Sequence, residues 1–181
     1  LAVGSASESS AATGINGNQA DRSASQAGAV YVFVHQGATW SQQAYVKPWN
    51  STNGGALFGY AVGLSGNGDT LAVGTQNEDA GKGAVYVFTR KGGVWSQQTR
   101  LAASNAEGDD QLGCSVAISD DGNTIVSGAC EEDAMIAGIQ PPDAGTGDRS
   151  GDASTGAAYV FVRTDDRWSQ QAYMKGFNTR I

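Results

Sequence analysis

Gly83-Ala84-Val85-Tyr86-Val87-Phe88-Thr89 is the stretch that decides the fold of this chain. From Ala84 to Phe88 it is apolar at consecutive positions, short, rich in β-branched and aromatic side chains, and opened by glycine. That pattern predicts a strand covered on both faces rather than the alternating strand of a half-exposed hairpin. The phrase recurs as Gly28-Ala29-Val30-Tyr31-Val32-Phe33-Val34 and as Gly156-Ala157-Ala158-Tyr159-Val160-Phe161-Val162. Each copy is followed by Trp-Ser-Gln-Gln, at residues 40–43, 95–98 and 168–171. Fixed order with variable spacing is the mark of a structural repeat whose length differences lie in loops.

Working back from the phrase, two copies are preceded by a further pair of apolar runs. One pair is Phe58-Gly59-Tyr60-Ala61-Val62-Gly63-Leu64-Ser65 with Leu71-Ala72-Val73-Gly74. The other is Leu112-Gly113-Cys114-Ser115-Val116-Ala117-Ile118-Ser119 with Ile125-Val126-Ser127-Gly128. Asn67-Gly68 and Asp121-Gly122 stand between the runs and supply the residues that tolerate positive φ in a tight hairpin. A complete unit is therefore four short strands, the content of a propeller blade. The expected architecture is all-β, four-stranded antiparallel β-propeller blades with negligible helix, about three blades of a larger propeller. Residues 1–50 form a partial blade holding strands two to four, residues 56–105 a second, and residues 111–178 a third with a long inter-strand insertion. Leu1-Ala2-Val3-Gly4 repeats the second-strand motif, so the chain opens inside a unit and without an initiator Met, and reads as a fragment. A closed ring ordinarily needs at least four blades. Further blades in the parent chain or in neighbouring copies are the expected complement.

Composition fits this picture. The chain has 26 Gly against 3 Pro, as many tight turns and close backbone approaches require. Eighteen acidic against 11 basic residues give a formal net charge of -7, which disfavours nucleic acid and anionic membrane surfaces as partners. No apolar run approaches the length of a membrane span, and no signal-like segment begins the chain.

The ordered set Phe58-Gly59, Leu71-Ala72-Val73-Gly74 and Gly83-Ala84-Val85-Tyr86-Val87-Phe88 resembles FG-GAP repeats, and the likeness spans nearly the whole chain. Such repeats build the bladed head of integrin α chains and occur in many bacterial secreted or surface proteins. The resemblance implies an extracellular or cell-surface setting and adhesion or ligand binding, with a protein or glycan partner and no single activity common to the family. Many such blades carry a calcium loop in the first hairpin. Here Ser65-Gly66-Asn67-Gly68-Asp69-Thr70 and Ser119-Asp120-Asp121-Gly122-Asn123-Thr124 are too short and offer too few carboxylates to wrap a cation, and both read as plain turns.

Oxygen ligands are more plentiful in the second-to-third-strand loops, which are long in the outer units and short in the middle one. Asn16, Asn18 and Asp21 in the first loop, and Asp143, Asp148 and Asp152 in the third, are the candidate metal ligands, with calcium as the cation. The alternative is a solvated polar loop. Cys114 and Cys130 flank the third unit's hairpin, and counting outward from Gly122 sets them opposite one another. Either a disulfide or two buried thiols fits, and an oxidising compartment favours the bridge. His35 is the single histidine and is expected in a loop, which leaves little for a catalytic triad. The recurrent Trp40, Trp95 and Trp168 read as packing wedges between blades, or alternatively as glycan-stacking platforms.

Acidic groups at Glu78-Asp79, Asp109-Asp110, Glu131-Glu132-Asp133 and Asp165-Asp166 fall in inferred turns. They read as solvated charge rather than glycosidase carboxylates, so that replacing any acid of residues 131–133 should change stability little. A nucleophile elbow, P-loop and dinucleotide fingerprint are absent from the sequence. The leading reading is a noncatalytic extracellular binding module. The alternatives are a structural subunit of an extracellular fibre or assembly, and an accessory propeller of a larger enzyme.

Overall fold

The computed structural model describes residues 1–50, 54–134, 136–142 and 154–177. Three antiparallel sheets follow one another along the chain. Ala2–Ser5 (β1), Ala29–Gln36 (β2) and Thr39–Val46 (β3) form the first, in that order. Ala61–Leu64 (β4), Thr70–Thr75 (β5), Ala84–Lys91 (β6) and Val94–Leu101 (β7) form the second as a simple meander. Leu112–Ile118 (β8), Thr124–Ala129 (β9), Ala157–Thr164 (β11) and Arg167–Lys175 (β12) form the third, with Gly138–Gln140 (β10) added against β12. Among the described residues the single helical element is the turn Glu78–Gly81 (α1), broken by positive φ at Asp79 and Ala80. The third sheet thus departs from the expected four strands. The long insertion lends β10, which pairs Gly138, Ile139 and Gln140 with Lys175, Met174 and Tyr173.

The strands of the repeated phrase are covered on both sides, as their lack of alternation requires. Tyr86 and Phe88 of β6 pack with Val30, Val32, Ala44 and Val46 of the first sheet, joined by Phe58, Leu71, Val73 and Trp95. Val85 and Val87 of the same strand face the other way, into a cluster with Ile125, Tyr159, Phe161 and Tyr173 of the third sheet. The middle sheet is therefore the filling between two apolar layers, and Val32, Phe88 and Phe161 are all buried.

Two further devices tie the sheets together. Each third-to-fourth-strand hairpin carries a register shift at the same place, between Val32 and Phe33, Val87 and Phe88, and Val160 and Phe161. The residue left over is the second Gln of Trp-Ser-Gln-Gln: Gln43, Gln98 and Gln171. An extra residue bends the strand and re-aims its side chains, and the consequence for Gln43 and Gln98 appears below. The second device is a close backbone crossing. Gly28 bridges Phe58, and Gly83 bridges Leu112, each in parallel from one sheet to the next. A Cβ on Gly83 would lie 2.1 Å from the Leu112 carbonyl oxygen, and Gly83 has φ +73°. Only glycine satisfies both demands.

Candidate functional site

The predicted metal ligands of the first loop lie between β1 and β2, and each is engaged by the loop itself. Asn16 adopts φ 59°, donates its N–H to the Tyr45 carbonyl at 2.7 Å and accepts the Tyr45 N–H on Oδ1 at 2.9 Å. It pins the loop to the end of β3. Asn18 accepts the Ser10 hydroxyl on its carbonyl at 2.8 Å and the Ala20 N–H on Oδ1 at 3.0 Å. Asp21 accepts the Ala11 N–H at 2.7 Å, the Ser23 hydroxyl at 2.9 Å and the Ser23 N–H at 3.2 Å. The Ala11 N–H, followed by the Ser23 hydroxyl, holds the Asp21 carboxyl below the usual range. Asp143, Asp148 and Asp152 lie outside the described residues. Among those described, no three His, Cys, Asp or Glu side chains form a group able to hold a metal ion.

Cys114 and Cys130 are joined as a disulfide, with Cα atoms 6.2 Å apart. They are not direct cross-strand partners as counting from the turn implied. Leu112 opposes Ala129 and Ser115 opposes Gly128, so Cys114 occupies a bulge in β8 and Cys130 follows the end of β9. His35 belongs to β2 rather than a loop, exposed near the strand's end with its ring 4.8 Å from that of Trp40.

The acidic groups give a sharper correction. Glu132 is not solvated: it is 1 % exposed, bonded to Lys175 Nζ at 2.6 Å, the Tyr173 hydroxyl at 2.9 Å and the Ala134 N–H at 3.1 Å. Lys175 Nζ also donates to the Glu132 carbonyl at 2.9 Å. The arrangement recurs in the other sheets. Glu78 binds Arg100 Nε and the Tyr86 hydroxyl, each at 2.9 Å, and Glu8 binds Lys47 Nζ at 2.9 Å, where Lys47 also donates to the Ser10 carbonyl. Each carboxylate stands four residues after the glycine of a second-strand motif (Gly4, Gly74, Gly128). Aligning the three units on that glycine is the signal that finds them. Asp110, buried beside Glu132, has its carboxyl pushed up from 3.8 to about 7, first by burial and then by the Glu132 charge.

Of the three recurrent tryptophans, Trp95 and Trp168 work as couplers between sheets, whereas Trp40 is exposed against His35 of its own sheet and is not wedged between sheets as expected. Trp95 Nε1 donates to Gln43 Oε1 at 2.9 Å, and Trp168 Nε1 donates to Gln98 Oε1 at 2.9 Å. Arg90 and Arg163 lie over these rings, their Cζ atoms 5.5 and 5.3 Å from the ring centres. Each also reaches the same glutamine oxygen, at 3.2 and 3.4 Å. The first glutamine of the phrase ties the sheet backwards as well: Gln97 Oε1 accepts the Trp49 N–H and Gln170 Oε1 the Ser104 N–H, both at 2.9 Å. Trp95 is buried, and Trp168 is half-buried with Arg163 over its ring.

At the end of the molecule where the β4–β5, β6–β7, β8–β9 and β11–β12 hairpins turn, the second and third sheets border a polar cleft of about 700 Å³. Asp69, Arg90, Gln98, Asn123, Arg163 and Asp166 are among its lining residues. Arg90 Nε is held by Asp69 at 2.8 Å and Arg163 Nε by Asn123 at 3.0 Å, which fixes both guanidiniums. Asp121, also at the cleft, is held below the usual carboxyl range by the Ser119 hydroxyl and then by Asn123. Sequence reasoning read these hairpins as plain turns and did not bring them together. The lining residues run from Asn67 to Asp166, 99 positions apart in the sequence.

No helix of the described residues is long and apolar enough to cross a membrane. No curated protein matches the chain. A family model of the FG-GAP repeat matches residues 40–88 and 95–161, more than half of the sequence and the same ground as the repeated phrases. With its stacked antiparallel sheets and its matched repeats, the chain belongs to the FG-GAP repeat family and is a β-propeller-type module.

Proposed function

We propose that this chain is a noncatalytic, extracellular binding and adhesion module that holds a glycan or protein ligand in the polar cleft between its second and third sheets. The cleft carries the reading. It brings carboxylates, side-chain amides and two fixed guanidiniums to one mouth. Fixed donors and acceptors at close spacing suit a hydroxyl-rich ligand, because each pre-set hydrogen bond avoids an ordering cost on binding. That chemistry favours a glycan over an apolar peptide. The Cys114–Cys130 disulfide fits an oxidising, extracytoplasmic compartment.

The test is an array of glycans and of extracellular proteins probed with the 181-residue chain, followed by titration of the best hit. Lys91 and Asp166 line the cleft and are both exposed. Lys91→Ala and Asp166→Ala should each weaken a glycan hit by about tenfold, the worth of one good charged hydrogen bond. Capture of a protein with no glycan captured assigns the ligand to the other class. A hit indifferent to both substitutions removes the cleft from the reading.

A further inference from the structure

We propose that the ligand of the cleft carries a carboxylate, as a uronic-acid glycan does, and that Arg163 seats it because the third sheet lacks the aspartate that neutralises the matching arginine of the second. On the reading above that the cleft holds a glycan, this narrows the ligand to one class.

Arg90 and Arg163 occupy the same place in successive repeats. Each donates its backbone N–H, at 2.8 Å, to the carbonyl of the residue just before β5 or β9: Asp69 for Arg90 and Asn123 for Arg163. Each then sends Nε to the side chain of that same residue, at 2.8 and 3.0 Å. The partner's chemistry is what differs. Arg90 meets a carboxylate, and its charge is paired. Arg163 meets an amide, and its further partners, Gln98 Oε1 and Thr70 Oγ1, are neutral as well, each at 3.4 Å. A half-buried guanidinium held by neutral groups keeps its charge free for an incoming anion. With Nε and one N–H of each terminal nitrogen engaged, one N–H on each terminal nitrogen is left. A carboxylate has two oxygens to meet that pair.

The acids around the cleft do not fill this seat. Asp69 is spent on Arg90. Asp121 turns Oδ1 to the Ser119 hydroxyl and the Asn123 N–H, and Oδ2 to Asn123 Nδ2. Asp165 and Asp166 stand at the exposed turn between β11 and β12, where water and salt screen them. Thr89, Ser96 and Gln97 also line the cleft, so partners for sugar hydroxyls lie close to the cation. The net charge of -7 repels dense polyanions at long range, which favours a sparsely charged uronate over a heavily sulfated chain.

The first measurement is NMR of the isotope-labelled 181-residue chain with sodium glucuronate, and with methyl glucoside and sodium chloride as controls. Glucuronate should move the Arg163 Nε–H and Trp168 indole N–H signals, since both groups share Gln98 Oε1. Those of Arg90 and Trp95 should stay in place, and the controls should move none of the four. Asp121→Asn combined with Asn123→Asp copies the Asn67 and Asp69 of the second sheet without changing the net charge, and sets a carboxylate on Arg163. With circular dichroism matching the parent, this double variant should bind glucuronate about tenfold more weakly or worse. The second measurement sets uronic-acid oligosaccharides beside the same oligosaccharides with their carboxyls reduced to alcohols. The acidic member of a retained pair should bind about tenfold tighter. Arg163 and Trp168 signals that ignore glucuronate, or move no more than those of Arg90 and Trp95, overturn the proposal. So does a double variant that responds like the parent. Acidic and reduced members bound alike also overturn it, while leaving the cleft as a glycan site. A glucuronate response with no oligosaccharide retained supports the carboxylate seat and removes the glycan reading instead.

Discussion

Lys175→Ala should be among the most destabilising single substitutions in this protein. Lys175 Nζ is fully buried with Glu132 Oε2 at 2.6 Å and the Glu132 carbonyl at 2.9 Å. Removing it leaves the Glu132 carboxylate 1 % exposed, with no opposing charge and with Asp110 nearby. Breaking a buried pair from one side costs about 3 to 5 kcal/mol, because the remaining charge has lost its partner and cannot regain water. Replacing both partners by apolar groups of similar size, as in Lys175→Met with Glu132→Leu, should cost much less than the sum of the single losses. Urea titration of the parent, Lys175→Met, Glu132→Leu and the double variant, read as a double-mutant cycle, measures the coupling. Glu131→Gln, at an exposed neighbour, is the control and should lie within about 0.5 kcal/mol of the parent. A loss below about 1 kcal/mol for Lys175→Ala would show that water reaches the pair and that the charges pin nothing.

Asp110 gives a pH dependence. Its folded carboxyl is raised from 3.8 to about 7, so the folded state holds a proton that the unfolded state has released. Stability from this group is fully present below about pH 4 and is lost as the pH rises through 7. Asp110→Asn should therefore raise the urea midpoint more at pH 8 than at pH 5, and an equal rise at both would refute the assignment. Gly83→Ala places a Cβ 2.1 Å from the Leu112 oxygen at φ +73° and should cost roughly 2 to 5 kcal/mol. Gly92→Ala, with φ +57° and nothing within 4 Å, should cost only about 1 kcal/mol, and equal losses in the two thermal melts would show that the crossing yields. Reducing the Cys114–Cys130 bridge, which spans 16 residues, should lower stability by about 3 kcal/mol, seen as a shift of the urea midpoint with dithiothreitol; an unchanged midpoint would refute it.

The architecture was legible because it is written three times. Consecutive apolar positions from Ala84 to Phe88 demand cover on both faces, and Asn67-Gly68 and Asp121-Gly122 mark turns, so local chemistry and repetition point the same way. What escaped sequence reading is what depends on distance along the chain. Glu132 looked like one of three consecutive acids in a loop, and nothing local says that a lysine 43 residues later reaches into the same pocket. Its neighbour Glu131 is exposed, so charge density alone cannot separate the two. The strand β10 was missed for a related reason. Its three residues have no pattern of their own and are a strand only because β12 offers an edge. The bulge at Cys114 defeated a count that assumed unbroken pairing.

The same repetition constrains where ligand specificity can reside. Side chains common to the units are consumed within the scaffold: Trp95 and Trp168 hold sheet to sheet through Gln43 and Gln98, and Glu8, Glu78 and Glu132 pin the loops of their own sheets through their cations. A group already satisfied by two or three partners has little hydrogen-bonding capacity left for a ligand. Chemistry free to vary therefore sits where the units differ. The third-to-fourth-strand hairpins show this most plainly. Lys91-Gly92-Gly93 in the second unit is basic, and Asp165-Asp166 in the third is acidic, and both border the cleft. One turn of each sign at a single mouth gives the cleft a polarity across its width that no individual repeat possesses. A ligand would be read by the pairing of unlike neighbours, and exchanging the two hairpins should reverse its orientation in the cleft rather than abolish binding.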